Sequence, residues 1–247
     1  MRRIFRSYPY FLPADPEPIA ALFAGGRRRT IEKGGTLKAG GVGPRVFFLA
    51  SGVCAYYAGE GFGRRPTILS TILPGRIMGD MTAAVGTRCN VHTAALAPSV
   101  VIELDPHVFQ SAIANSPTLA ALQLKNITAK EESLIEGMVA NFTRPPEERL
   151  LIYAKTLLLM TGTPPERFAA EKPACTGNVA PDAAHFIVLP HMPSAERLGE
   201  ALNLNRVSIA KIISGWQHAG RAFRRNRALY LDLSLFSGID DWMTPQS

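Results

Sequence analysis

Apolar and polar positions follow different periods along the chain, and each period predicts an element type. Residues 1–30 form a short amphipathic lead-in: Ile19, Leu22 and Phe23 share a helical face, Pro18 suits a first turn, and Gly25-Gly26 ends it. From Thr30 to about Leu104 the apolar residues gather in short β-prone runs, at 46–49, 53–57, 67–73, 91–96 and 100–104. Gly34-Gly35, Gly40-Gly41, Ser51-Gly52, Gly59 to Gly63, Pro74-Gly75 and Pro98 separate them. Many short strands with closely spaced turn residues predict an antiparallel jelly roll rather than βαβ units.

At Ser116-Pro117 the period changes to that of a helix, with Ser as N-cap and Pro in the first turn. The run reaches about Phe142 without an internal proline, a helix roughly 40 Å long at 1.5 Å per residue. Leu124, Ile127, Leu134 and Met138 fall at alternating three- and four-residue steps once Glu131 is admitted to the series. Such a seam is what a second helix covers, so the segment is expected to pair with its copy; a helix packed on its own domain is the competing reading. Arg144-Pro-Pro then opens another helix, which Gly162 stops.

The last third carries the most specific pattern. Ser194 caps a helix with Leu198, Ala201 and Leu202 inward, and Asn203-Leu204 makes a tight turn. Asn205 caps a second helix in which Ile209, Ile212, Ile213 and Trp216 recur at helical spacing. Two short helices joined in this way form a helix-turn-helix, with Arg206, Val207, Ser208, Ala210, Lys211 and Ser214 left outward. Gly220 ends the second helix, and a basic hairpin through Arg221, Arg224, Arg225 and Arg227 follows as a wing.

Composition narrows the class. The 247 residues are 47% hydrophobic and 19% charged, as in globular chains, and the net charge is +7. Between His191 and Leu231 seven Lys and Arg face two Glu, so most of the surplus lies on the helix-turn-helix and wing, where phosphates would flank a groove. Double-stranded DNA is therefore the expected partner. Three scattered cysteines (Cys54, Cys89, Cys175) fit a reducing cytoplasm and cannot supply an iron–sulfur cluster. No secretory leader or run of about 18 apolar residues occurs, and no membrane association is expected.

Catalytic patterns are absent: no nucleophile elbow, Walker loop, His-Glu-x-x-His or dinucleotide fingerprint. A cupin-like metal enzyme would need several converging ligands, but only His92 and His107 fall in the predicted roll. Cys89 and His92 are the single close soft-ligand pair. No cofactor or metal is expected, and the chain is not read as an enzyme.

A glycine-rich roll, a long helix and a winged helix-turn-helix in this order resemble the Crp/Fnr regulators (cyclic-AMP receptor protein / fumarate-nitrate regulator type). The resemblance rests on Glu32-Lys-Gly with Leu37, on Val46-Phe-Phe-Leu-Ala-Ser-Gly, on Leu73-Pro-Gly-Arg-Ile-Met-Gly-Asp-Met, and on the segment from Ala195 to Lys211. It implies an α+β chain with a β-roll sensor over 1–115, a dimerisation helix over 116–143 and a DNA-binding domain over 144–247. It also implies a homodimer on a palindromic site, with RNA polymerase as a candidate further partner. The family's Ser-Arg-Glu start of the recognition helix is here Asn205, Arg206 and Val207, with Lys211 at its later Arg, so an altered base preference is expected. Its effector-binding Gly-Glu and Arg-Ser pairs are matched by Gly79-Asp80 and Arg88-Cys89. The shorter carboxylate and the missing hydroxyl favour Arg88 pairing with Asp80, or capping its loop, over holding a cyclic nucleotide. The effector is thus unidentified or absent. A roll that has lost DNA binding and acts through protein contacts is the alternative function.

Overall fold

The computed structural model describes residues 7–58, 67–88, 91–164, 168, 185–189, 193–226 and 228–239. The expected turn at 59–63, Cys89, Cys175 and Arg227 lie outside them. The chain divides into two compact units, one Tyr10–Gly137 and the other Met1–Pro9 with Met138–Ser247.

The first unit is the predicted roll. Strands β1 (Arg27–Ile31), β2 (Thr36–Lys38), β3 (Val46–Ser51), β4 (Cys54–Tyr57), β5 (Ile68–Ile72), β6 (Arg76–Met78), β7 (His92–Ala95) and β8 (Ser99–Leu104) form two four-stranded sheets. Their orders are β1-β8-β3-β6 and β2-β7-β4-β5, with every pairing antiparallel. Phe47, Leu49 and Val101 of one sheet meet Leu37, Cys54, Tyr56, Ile72 and Ala95 of the other. The opposite face of β3 is also covered. Val46, Ile77 and Leu104 pack against Ile19 and Phe23 of the lead-in, where α1 (Glu17–Ala20) tightens into a 3-10 turn, and against Phe109 of α3 (Pro106–Ala114). Fully burying side chains of this size stabilises by about 1.5–3 kcal/mol each, and about a dozen do so here.

Between β6 and β7 lies α2 (Asp80–Val85), which begins at Gly79 with φ 81°. A Cβ at residue 79 would stand 2.0 Å from the Arg45 carbonyl oxygen, so only glycine allows this close approach. On β8, between β1 and β3 in the first sheet, Glu103 accepts from Arg27, Arg29 and Arg45. Burial alone would raise its pKa, but hydrogen bonds from Arg45, Arg27 and Arg29 outweigh that and lower it to about 2.

Helix α4 (Pro117–Thr143) is the long helix of the sequence reading, and Ser116 caps it by accepting from the Leu119 N–H. Its buried positions are Gln123, Asn126, Lys130, Ser133, Glu136, Gly137 and Ala140. Most of them are polar, the reverse of an ordinary docked helix.

In the second unit α5 (Pro146–Met160) buries Leu150, Leu151, Ile152, Tyr153, Ala154, Leu157 and Leu158. Strand β9 (Phe186–Leu189) is followed by α6 (Ala195–Leu202), α7 (Arg206–His218), β10 (Ala222–Arg225) and β11 (Ala228–Asp232). The three strands form one antiparallel sheet in the order β10-β11-β9. No described helix is long and apolar enough to cross a membrane.

Candidate nucleic-acid interface

Each joint of the helix-turn-helix has a local cause. Ser194 Oγ accepts from the Arg197 N–H at 3.4 Å and starts α6. Asn203 ends it in the left-handed region at φ 52°, ψ 47°, which asparagine tolerates. The Asn205 side-chain oxygen accepts from the Ser208 N–H at 2.7 Å and starts α7. Two orphan carbonyls at the end of α6 are also satisfied: Asn141 Nδ2 donates to Ala201 O at 3.0 Å and Arg149 Nη1 to Leu202 O at 3.2 Å.

Ile209, Ile213 and Trp216 form the buried stripe of α7, with Ile212 half-buried beside it. The indole N–H of Trp216 donates to Glu147 of α5 at 2.5 Å. On the other face Asn205, Arg206, Val207, Ala210 and Lys211 are exposed, while Ser208 and Ser214 are half-buried. In the hairpin Arg224 and Arg225 are exposed, and Phe223 stacks on Tyr230 with centroids 4.6 Å apart. Asn226 makes the turn at φ 50°.

The basic residues are not equivalent. Arg197 is bound to Glu200 at 2.7 Å, and Arg221 is half-buried with Nη2 3.5 Å from Ser234 Oγ. Arg206, Lys211, Arg224 and Arg225 form no ion pair or hydrogen bond with any described residue. These four cations are free to meet an anion. The Asn205 side-chain oxygen serves the cap and so shapes the start of α7, while the residue itself stays exposed.

The seam expected on α4 is present in shifted form. Leu124 and Met138 are exposed as expected, at 66% and 47%, but Ile127 and Leu134 are half-buried. The stripe continues instead through Ile135 and Phe142, 53% and 83% exposed. The reason is the polar face: with Asn126 and Lys130 turned inward, Ile127 and Leu134 fall on the flank. Positions 124, 128, 131, 135, 138 and 142 then keep the alternating four- and three-residue steps of a heptad.

Of the expected effector residues, Gly79, Asp80 and Arg88 are described, and Asp80 and Arg88 are not brought together. Asp80 is fully buried at the start of α2, and its Oδ2 accepts from Lys130 Nζ at 2.9 Å, Gln123 Nε2 at 2.9 Å and Asn126 Nδ2 at 3.2 Å. Arg88 is exposed and forms no pair with Asp80, which corrects the first of the two expected roles, pairing with Asp80 or capping its loop. Gly79 serves backbone geometry, its N–H donating to the Tyr56 hydroxyl at 3.1 Å. The lysine that answers Asp80 lies 50 residues further on, in the middle of α4.

No group of three potential metal ligands occurs among the described residues. Cys54, the one described cysteine, is buried, and burial pushes its thiol up to about 11, so it is inert at neutral pH.

Neither a family model nor a curated protein sequence matches this chain. Solved structures do. A CooA mutant from Carboxydothermus hydrogenoformans superposes with a TM-score of 0.64 at 16% identity, covering 89% of this chain and 90% of that one. FixK2 from Bradyrhizobium japonicum gives 0.62 at 16% identity, over 83% and 92%. TTHB099 from Thermus thermophilus, a transcriptional regulator of the CRP family, gives 0.60 at 18% identity, over 89% and 98%. The chain therefore has the fold of the CRP/FNR transcriptional regulators over nearly its whole length.

Proposed function

We propose that this protein is a dimeric, sequence-specific DNA-binding transcriptional regulator, with α7 as its recognition helix. The observation that carries the reading is the outward face of α7 and the neighbouring wing. Arg206 and Lys211 of the helix, anchored from behind by Ile209, Ile213 and Trp216, and Arg224 and Arg225 of the wing are exposed, with no carboxylate partner among the described residues. A helix of this kind enters a major groove with its first residues on base edges. There Arg206 would give two parallel donors to guanine O6 and N7, and Val207 an apolar contact to a thymine methyl. Lys211 adds a point charge, and Arg224 and Arg225 reach the flanking phosphates.

The second copy is supported by the inverted α4. A stripe of Leu124, Ile135, Met138 and Phe142 in water is costly unless another apolar surface covers it, and an identical helix supplies the matching heptad. Two copies would set two recognition helices on half-sites about one turn of DNA apart. Described in this way the protein does no chemistry of its own, and the Asp80 carboxylate is held by the chain rather than offered to an effector.

Binding to fluorescent duplex DNA across a salt series tests this reading. Affinity should fall steeply and linearly on logarithmic axes as salt rises, in proportion to the phosphates neutralised. Binding that is absent at low salt would overturn it.

A further inference from the structure

Leu119 and Leu122 near the start of α4 pack on the Ile19 and Phe23 cluster of the roll, but further along the helix the buried contacts centre on a charge cluster. Lys130 is fully buried, and its Nζ donates to Asp15 Oδ1 at 2.7 Å, Asp80 Oδ2 at 2.9 Å and the Ile77 carbonyl at 3.0 Å, which uses all three ammonium protons. The surrounding bonds tighten the cluster. Asn126 Nδ2 donates to Asp15 Oδ1 at 2.7 Å, and the Ile77 N–H donates to Asp15 Oδ2 at 2.6 Å. One turn further on, the Ser133 hydroxyl donates to the Phe11 carbonyl. Both carboxylates and the ammonium are shut off from solvent, so each is tolerable only in the presence of the others.

An apolar face pressed on a roll can slide or turn with small penalties, because such contacts are not directional. A buried ammonium between two fixed carboxylates cannot. Turning α4 about its axis would part three buried charges from their ion-pair partners, whereas the apolar seam would itself gain by turning inward. The observed setting, with Leu124, Ile135 and Met138 outward, is the one the charges select against the hydrophobic preference of the helix.

We infer that Lys130 is the positioning residue of the dimer helix: its contacts with Asp15 and Asp80 fix the rotation of α4 so that the apolar seam faces a second copy. The inference rests on the dimeric reading given above. The cluster joins the segment before α1, the carbonyl of β6, the first residue of α2 and the middle of α4, which are distant in sequence. Any change that breaks it therefore releases the seam from its outward setting.

Cysteine cross-linking reads the helix rotation. In the full chain with Cys89 and Cys175 changed to serine, Leu124→Cys and Ile127→Cys are oxidised separately, and disulfide formation between copies is timed. With Lys130 in place, Leu124→Cys should cross-link faster than Ile127→Cys. Adding Lys130→Met should change that ratio at least tenfold while circular dichroism shows a folded chain at the assay temperature. General destabilisation would slow both sites together, so an unchanged ratio overturns the inference. Should Lys130→Met fail to fold, Asp80→Asn decides by the same ratio, since it removes one charge at nearly constant shape. If neither cysteine cross-links with Lys130 present and the protein sediments as a monomer, the dimeric reading fails and the inference falls with it.

Discussion

Gly199 and Leu204 meet twice across the turn of the helix-turn-helix. The Leu204 N–H donates to the Gly199 carbonyl at 2.9 Å, and the Leu204 carbonyl oxygen lies where a side chain on residue 199 would begin, 2.5 Å from an ideal Cβ. Leu204 immediately precedes the Asn205 cap, so this contact sets where α7 starts. Gly199→Ala should force the turn open, costing about 1–3 kcal/mol as an overpacked contact does. Thermal melting and duplex binding should both weaken; an alanine variant that melts and binds like the parent would contradict the close approach.

Arg206 and Arg225 should fail in different ways. Arg206→Ala removes the bidentate donor at the head of α7 and should cost on the order of 1–3 kcal/mol at the preferred site while relaxing sequence preference. Arg225→Ala should weaken binding to all duplexes alike and reduce the salt slope by about one per copy. Gel shifts on preferred and scrambled duplexes separate the two outcomes. Equal losses on both duplexes for Arg206→Ala would remove it from base readout.

The helix-turn-helix was legible because its causes are local. A serine cap, an asparagine in the left-handed region, a second cap and a 3.6-residue stripe all lie within 23 consecutive positions, 194 to 216. The five apolar runs likewise became β3, β4, β5, β7 and β8. Strand β1, whose sequence is Arg-Arg-Arg-Thr-Ile, is not legible as a strand because the charges of Arg27 and Arg29 are answered by Glu103, which lies across the sheet on β8. Helices α2 and α3 were missed too, although Asp105-Pro106 is a readable start. Lys130 was beyond reach for a deeper reason. Its partners lie 115 and 50 residues away, and a lysine on an amphipathic helix is ordinarily solvated, so nothing near it in sequence marks it as buried. That single inversion also shifted the seam from Ile127 and Leu134 to Ile135 and Phe142.

The shifted seam makes its own demands. Ile135→Glu should convert the dimer to a monomer, whereas Glu131→Leu, which replaces the one carboxylate in the series, should tighten it roughly tenfold. Sedimentation equilibrium measures both. A tighter dimer on Ile135→Glu, or a looser one on Glu131→Leu, would place the interface elsewhere.

Glu103 gives the roll a defined acid sensitivity. Its pKa is lowered in the folded chain, from 4.5 to about 2, by the three arginines. The unfolded chain therefore takes up the proton first as pH falls. The stabilisation is fully present above about pH 4.5 and is lost as pH falls through about 2. Arg27 is largely exposed, so solvent screening holds the effect to about 1 kcal/mol. Melting of the parent and of Glu103→Gln should differ at pH 7 and converge near pH 2. A gap that widens on acidification would reverse the sign and exclude the arginine cluster as its cause.

Selection of bound sequences from random duplexes at low salt tests most directly whether two copies of α7 read DNA. Expected is a two-fold symmetric site with half-sites about 10 base pairs apart, centre to centre, whose enrichment disappears with Arg206→Ala. Recovery of no enriched sequence, or of one that Arg206→Ala enriches equally, would contradict it.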